Sequence, residues 1–90
     1  MPKFVIERTV PNAGKLTAAE LHHASAGSCR VLNDLGPRIQ WIQSHVTDDK
    51  LYCLYLAPDA GLIREHALRA GLPADSIREV RTVIDPTTGE

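Results

Sequence analysis

The chain has 90 residues, 43% hydrophobic and 23% charged, with a formal net charge of -1, which suits one domain with a small core. This near-neutral charge gives no field to attract nucleic acid or an anionic membrane, and no stretch is apolar for long enough to span one. The start has no secretory leader pattern, so we expect a cytoplasmic protein that binds neither nucleic acid nor membrane.

The first third of the chain predicts a strand followed by a helix. Residues 3–10 are rich in β-branched residues and end at Pro11, which lacks the amide that a strand ladder needs. Thr17 and Glu20 have the spacing of a capping box, which predicts a helix start. Apolar residues then recur at three- and four-residue spacing until Gly36-Pro37 ends the helix.

Residues 38–47 and 50–57 predict a hairpin with Asp48-Asp49 at its tip. A loop longer by one residue would turn His45 to the helix side of the sheet. The short loop predicts three facing pairs on the opposite, open side: His45 with Tyr52, Gln43 with Leu54, and Trp41 with Leu56.

The second half of the chain completes an α+β domain. Asp59 is the predicted N-cap of a second helix that ends at Gly71, and residues 76–85 predict a final strand. We therefore expect a single domain over residues 1–85 and a flexible tail over residues 86–90. The order βαββαβ predicts a ferredoxin-like plait, a four-stranded antiparallel sheet in spatial order 4-1-3-2 with both helices on one face.

Both faces of the third strand are apolar. The two helices can cover only one face of such a sheet, and exposure costs about 1.5–3 kcal/mol for each large apolar side chain. We therefore expect a homodimer in which a second copy packs on the open sheet face. Alternation along the strand assigns Leu51, Cys53 and Tyr55 to the helix side, and Tyr52, Leu54 and Leu56 to the open side.

Four histidines are the best candidate metal ligands, since imidazole suits nickel, copper and zinc. His23 either shares a ligating helix face with Glu20 or lies on a solvated surface. His66, beside Glu65, is either a ligand or a histidine at the core margin. His45 either lines a pocket or fills the dimer interface with its polar tip hydrogen-bonded.

Other chemistry-bearing motifs are missing from the sequence. It has no HExxH, no glycine-rich phosphate loop and no GxSxG elbow. Cys29 and Cys53 do not form a CxxC, and in a reducing cytoplasm we expect two buried thiols rather than a disulfide. Any metal site must therefore combine distant segments or two subunits.

Several unusual motifs, spread over nearly the whole chain, carry a family resemblance. They are FVIERTVPNAGKLTAAEL at residues 4–21, VTDDK at 46–50, Cys53, Ala57-Pro58, IREHA at 63–67, Gly71 and VIDP at 83–86. In these the chain resembles a family of small bacterial proteins that is described as a domain of unknown function and whose members are often named nickel-binding protein. The resemblance implies a ferredoxin-like fold, a homodimer and, as in at least one member, nickel at the dimer surface for sequestration. Glu65 and His66 lie inside a matching motif, whereas His22 and His23 do not.

We therefore expect a cytoplasmic homodimer that binds divalent nickel through surface imidazoles and carboxylates, as a metal buffer rather than a catalyst. The predicted ligands are His66, Glu65, His45 and His23.

Two alternatives stay open. One is a dimeric α/β-barrel enzyme, such as a small monooxygenase or isomerase, with Tyr55, Cys53 or His66 lining a pocket between helices and sheet. The other is a small-molecule-sensing module that binds without turnover. A deep, mostly apolar cavity with a few converging polar groups would favour the enzyme, and a filled core would count against it.

Overall fold

The computed structural model describes residues 1–90, which form four strands, two helices and two short 3-10 turns. The regular elements are β1 (Lys3–Thr9), α1 (Ala18–Leu35), β2 (Gln40–Val46), β3 (Lys50–Leu56), α2 (Ala60–Ala70) and β4 (Ser76–Glu79), with 3-10 turns at Ala13–Lys15 and Pro86–Gly89. None of the helices is both long enough and apolar enough to cross a membrane.

The sheet has the order β2-β3-β1-β4 with every neighbouring pair antiparallel. This is the predicted order 4-1-3-2 read from the opposite edge, so the α+β plait is confirmed. Side chains of β1 alternate between buried and half-buried, as expected for a strand with one face under helices. The core joins Phe4 and Ile6 of β1 to Cys53 and Tyr55 of β3 and Ile63 of α2.

Both helices begin at the predicted caps. Thr17 and Glu20 form a complete capping box, in which the Glu20 amide donates to the Thr17 hydroxyl and the Thr17 amide donates to the Glu20 carboxylate. The Asp59 carboxylate accepts from the Leu62 amide at 3.0 Å. Gly71 ends α2 in the left-handed conformation, with φ of 69°, which glycine adopts without steric cost.

The hairpin of β2 and β3 differs from prediction at one end. His45 faces Tyr52 and Gln43 faces Leu54 as expected, but a bulge between Trp41 and Gln43 makes Trp41 face Tyr55 instead of Leu56. The extra residue, Ile42, shifts the register and turns Trp41 to the helix side. The prediction that Trp41 lies on the open face is therefore wrong.

The last strand is shorter than predicted, because residues 80–85 are not in the sheet. The Val80 amide donates to the Lys3 carbonyl, and the next residue along β1 would be Pro2, which has no amide to continue the ladder. Val83 and Ile84 are consequently exposed. Residues 86–89 form a 3-10 turn capped by Asp85, with every residue exposed.

The open sheet face carries an apolar patch of three half-buried residues and one exposed tyrosine. It consists of Val5 on β1 and Leu54, Leu56 and Tyr52 on β3. Lys50 and Glu7 form an ion pair of 2.9 Å on the same face. The assignment of these β3 residues to the face away from the helices is confirmed by their register with β1.

The two cysteines have different environments. Both are free thiols, as expected, and Cys53 is buried on the helix side of β3. Cys29 is exposed on α1, so the prediction that it is buried is wrong. The neighbouring Ser28 occupies the buried position of that helical turn.

Candidate functional site

A cavity of about 320 Å³ lies between α1 and the helix side of the sheet. This volume is at the lower end of the range for small-molecule sites. Most of its apolar wall comes from six residues: Leu16, Leu21, Val46, Leu51, Leu72 and Trp41. Ala24 on α1 and Val46 on β2 are solvent-exposed, which marks the cavity mouth between the helix and the hairpin.

Trp41 is held in the wall of this cavity by a local hydrogen bond. Its indole Nε1 donates to the Ser44 hydroxyl at 2.9 Å. Ser44 faces the helix side by ordinary alternation opposite Cys53, whereas Trp41 does so because of the bulge at Ile42. The irregularity that removes Trp41 from the open face therefore adds it to the cavity wall.

Arg8 is the only charged residue that lines the cavity, and it is just 1% exposed. It follows Phe4 and Ile6 at the inward positions of β1. Its Nη1 donates to the Pro73 carbonyl at 2.5 Å, while its Nη2 is buried without a hydrogen-bond partner. No carboxylate forms an ion pair with it. The Asp75 carboxylate is close enough for its pKa to be lowered, mainly by hydrogen bonds from Thr9 and to a smaller extent by Arg8, but it forms no ion pair with the guanidinium. A buried guanidinium with an unpartnered nitrogen is costly.

Tyr55 and His66 form a polar layer behind the cavity. The Tyr55 ring lines the cavity, lies 6.0 Å from the Arg8 guanidinium carbon and packs 5.4 Å from the His66 ring. The His66 Nε2 is 3.0 Å from the hydroxyl of Ser28, which itself lines the cavity. His66 thus lies behind the cavity wall, against Ser28 and Tyr55, whereas Cys53 and Tyr55 line the cavity directly.

Burial controls the protonation of this layer. Loss of solvation raises the pKa of Tyr55 from its ordinary value of 10.0, so the phenol keeps its proton at neutral pH. Burial, followed by the positive charge of Arg8, lowers the pKa of His66 from 6.5. His66 is therefore neutral at pH 7, and its Nδ1 is buried without a partner.

The four predicted metal ligands lie in three separate places. His66 is fully buried in α2, and the adjacent Glu65 pairs with Arg69 at 2.7 Å one helical turn later. His45 is exposed on β2, with its Nε2 3.3 Å from the Gln43 amide nitrogen. His23 is exposed on α1.

No three histidine, cysteine or acidic side chains of one chain converge where they could hold a metal ion together. Glu20, which shares a helix face with His23, already accepts the Thr17 amide through its carboxylate. Hydrogen bonding to that amide, and to the Thr17 hydroxyl, lowers the Glu20 pKa.

Sequence reasoning missed Arg8 as a site residue. The signal was available, since alternation along β1 puts residue 8 on the same face as Phe4 and Ile6. A charged residue at an inward strand position requires a partner, and that requirement indicates a site.

A family model described as nickel responsive protein SCO4226-like matches residues 4–80. The chain belongs to this SCO4226-like family. The structure is also similar to the crystal structure of SCO4226 from Streptomyces coelicolor A3(2), with a TM-score of 0.77 and 25% sequence identity, covering 91% of this chain and 99% of that one. No curated protein matches the chain. The SCO4226-like match includes all four strands except Lys3, the first residue of β1, and leaves out the exposed segment after Val80.

Proposed function

We propose that this protein is a cytoplasmic homodimer that binds divalent nickel and buffers it, without catalysing a reaction. The observation that carries the proposal is the membership of a family described as nickel responsive. The donor types fit, because imidazole nitrogen and carboxylate oxygen both accept nickel. A buffer needs no activated nucleophile or base, only ligands that reach the surface.

The open sheet face supports the homodimer. Val5, Leu54 and Leu56 are half-buried on this face, and 36% of Tyr52 is exposed there. No element of the same chain covers them, since both helices pack on the opposite side. A second copy placed by a two-fold axis would bury the same patch on both chains, as in the usual symmetric dimer.

A dimer would also supply metal ligands that one chain lacks. His45 lies directly opposite Tyr52 in the sheet, so its imidazole borders the apolar patch. Two copies would bring two His45 side chains to the same interface, with Glu65 and His23 as further surface ligands. His66 could join the ligand set only if its ring became accessible, because Nε2 is bonded to Ser28 and Nδ1 is buried.

Nickel calorimetry on protein freed of any affinity tag tests this proposal. We expect saturable binding that is at least tenfold weaker in His45→Ala. His22→Ala is the matched control, because His22 is also an exposed histidine but is not a proposed ligand. Binding no tighter than millimolar, or binding that survives replacement of all four histidines, would remove the proposal.

The cavity favours a second candidate function, the binding of an organic small molecule. Its apolar wall and the polar groups of Arg8, Tyr55 and Cys53 match the cavity expected for a dimeric α/β-barrel enzyme or a sensing module. The two differ in turnover, so an enzyme would convert the bound compound and a sensor would release it unchanged. A chromatographic comparison of the compound before and after incubation separates them.

A further inference from the structure

The lining of the cavity contains one buried cation and no anion, and the nearby Asp75 carboxylate, which accepts the Thr9 amide, is not part of that lining. Arg8 is its only charged lining residue, and the Nη2 of Arg8 has no hydrogen-bond partner. An arginine side chain presents five N–H donors in a planar fork that matches the two oxygens of a carboxylate. Arg8 lines the cavity and is only 1% exposed, and Nη2 is the nitrogen of the fork that has no partner.

The rest of the cavity is built for an apolar body. Its wall includes Leu16, Leu21, Leu51 and Trp41. Besides Arg8, its polar groups are the Cys53 thiol and the hydroxyls of Tyr55 and of serines such as Ser25. These hydroxyls carry no charge. A ligand with two negative charges would leave one of them buried and unpaired, which is costly. A single negative charge matches the single guanidinium.

The volume sets the size of the ligand. A cavity of about 150 Å³ takes a benzene molecule with its six carbon atoms. The volume of about 320 Å³ therefore suits roughly twice as many heavy atoms.

We propose that this cavity binds a small monocarboxylate with an apolar body, whose carboxylate accepts hydrogen bonds from Arg8 and whose body lies against Trp41 and the leucines of α1 and β3. The inference names a ligand class for the second candidate function and is independent of nickel. The test of the inference therefore contains no metal, and a protein that fails to bind nickel would not contradict the inference.

Trp41 provides the readout, because it is the only tryptophan of the chain and lines the cavity. Its fluorescence is followed while octanoate is added to the full-length protein, and 1-octanol serves as the uncharged ligand with the same chain length. We expect a saturable change with octanoate, and roughly ten- to hundredfold weaker binding of octanol, because the alcohol forms no charge-assisted bond with Arg8.

Arg8→Met tests the charge with a side chain of similar length. In this variant octanoate should lose its advantage over octanol or bind more weakly than octanol, because its carboxylate would be buried without a partner. Equal affinities already in the unmodified protein would overturn the carboxylate inference while leaving an apolar small-molecule site. No saturable change with octanoate at millimolar concentration, or a preference for the acid that persists in Arg8→Met, would also overturn it.

Ala24→Phe keeps the test decisive if Arg8→Met fails to fold. Ala24 is exposed at the cavity mouth, so a larger side chain there obstructs entry without disturbing Arg8. We expect octanoate binding to weaken at least tenfold. Unchanged binding would mean that the ligand lies elsewhere, and would overturn the assignment to this cavity.

Discussion

Replacing Tyr52 with serine should separate the proposed dimer without unfolding the chain. A covered tyrosine buries about 150–250 Å². Since 36% of Tyr52 is exposed in the single chain, about 50–90 Å² remains for a partner to cover, worth about 1.3–2.3 kcal/mol at ~25 cal/mol per Å². A symmetric dimer contains this residue twice, so it loses about 3–5 kcal/mol, which raises its dissociation constant roughly a hundred- to a few-thousandfold.

Sedimentation equilibrium over a range of protein concentrations measures this change. The matched control is Leu68→Ser, because Leu68 is 83% exposed on α2, on the helical side of the molecule. Tyr52→Ser should shift the equilibrium to single chains, while Leu68→Ser should sediment like the unmodified protein. If both variants keep the mass of the unmodified dimer, or if the unmodified protein is itself a single chain at micromolar concentration, the dimer interface is wrongly assigned.

Two further predictions concern stability. His66 has a lower pKa folded than its ordinary value of 6.5, so the unfolded chain takes up the proton first and stability is lost as pH falls below about 6.5. Through this one group the free energy of unfolding falls by at most about 1.4 kcal/mol per pH unit. Urea unfolding at several pH values should show a shallower loss of stability in His66→Gln. Equal slopes in the two proteins would contradict the assignment. Thr17→Ala removes one side of the capping box and should cost about 1 kcal/mol in the same assay, whereas an unchanged unfolding midpoint would mean that the cap contributes nothing.

The order of elements could be predicted from the sequence because local patterns dominate it. The capping box at Thr17, the N-cap at Asp59 and the left-handed Gly71 each define a helix end from neighbouring residues alone. The faces of β3 followed from simple alternation, and the register with β1 confirms them. These features need no knowledge of distant parts of the chain.

Features that depend on distant contacts were less predictable. The imperfect alternation of β2 gives no clear sign of the bulge at Ile42, yet this bulge turns Trp41 from the open face to the helix side of the sheet. The end of β4 depends on where β1 begins, since strand pairing stops beside Pro2. The cavity requires α1 to stand away from the sheet, and no local pattern specifies that spacing.

The candidate metal ligands illustrate the same limit. Helical periodicity correctly put His66 on the inner side of α2, but its bond with Ser28 depends on how α1 and α2 pack. The chemistry of the side chains identifies imidazoles as candidate ligands. Whether these imidazoles converge on one metal ion depends on where the helices and strands lie and, in our proposal, on a second chain.

Size-exclusion chromatography with nickel detection by mass spectrometry tests the central proposal most directly. Tag-free protein is equilibrated with excess nickel and applied to the column, so that particle mass and bound metal are read from the same peak. We predict nickel co-eluting with a particle of twice the chain mass of 9.9 kDa. A metal-free peak at the mass of one chain would contradict both the dimer and its role in holding nickel.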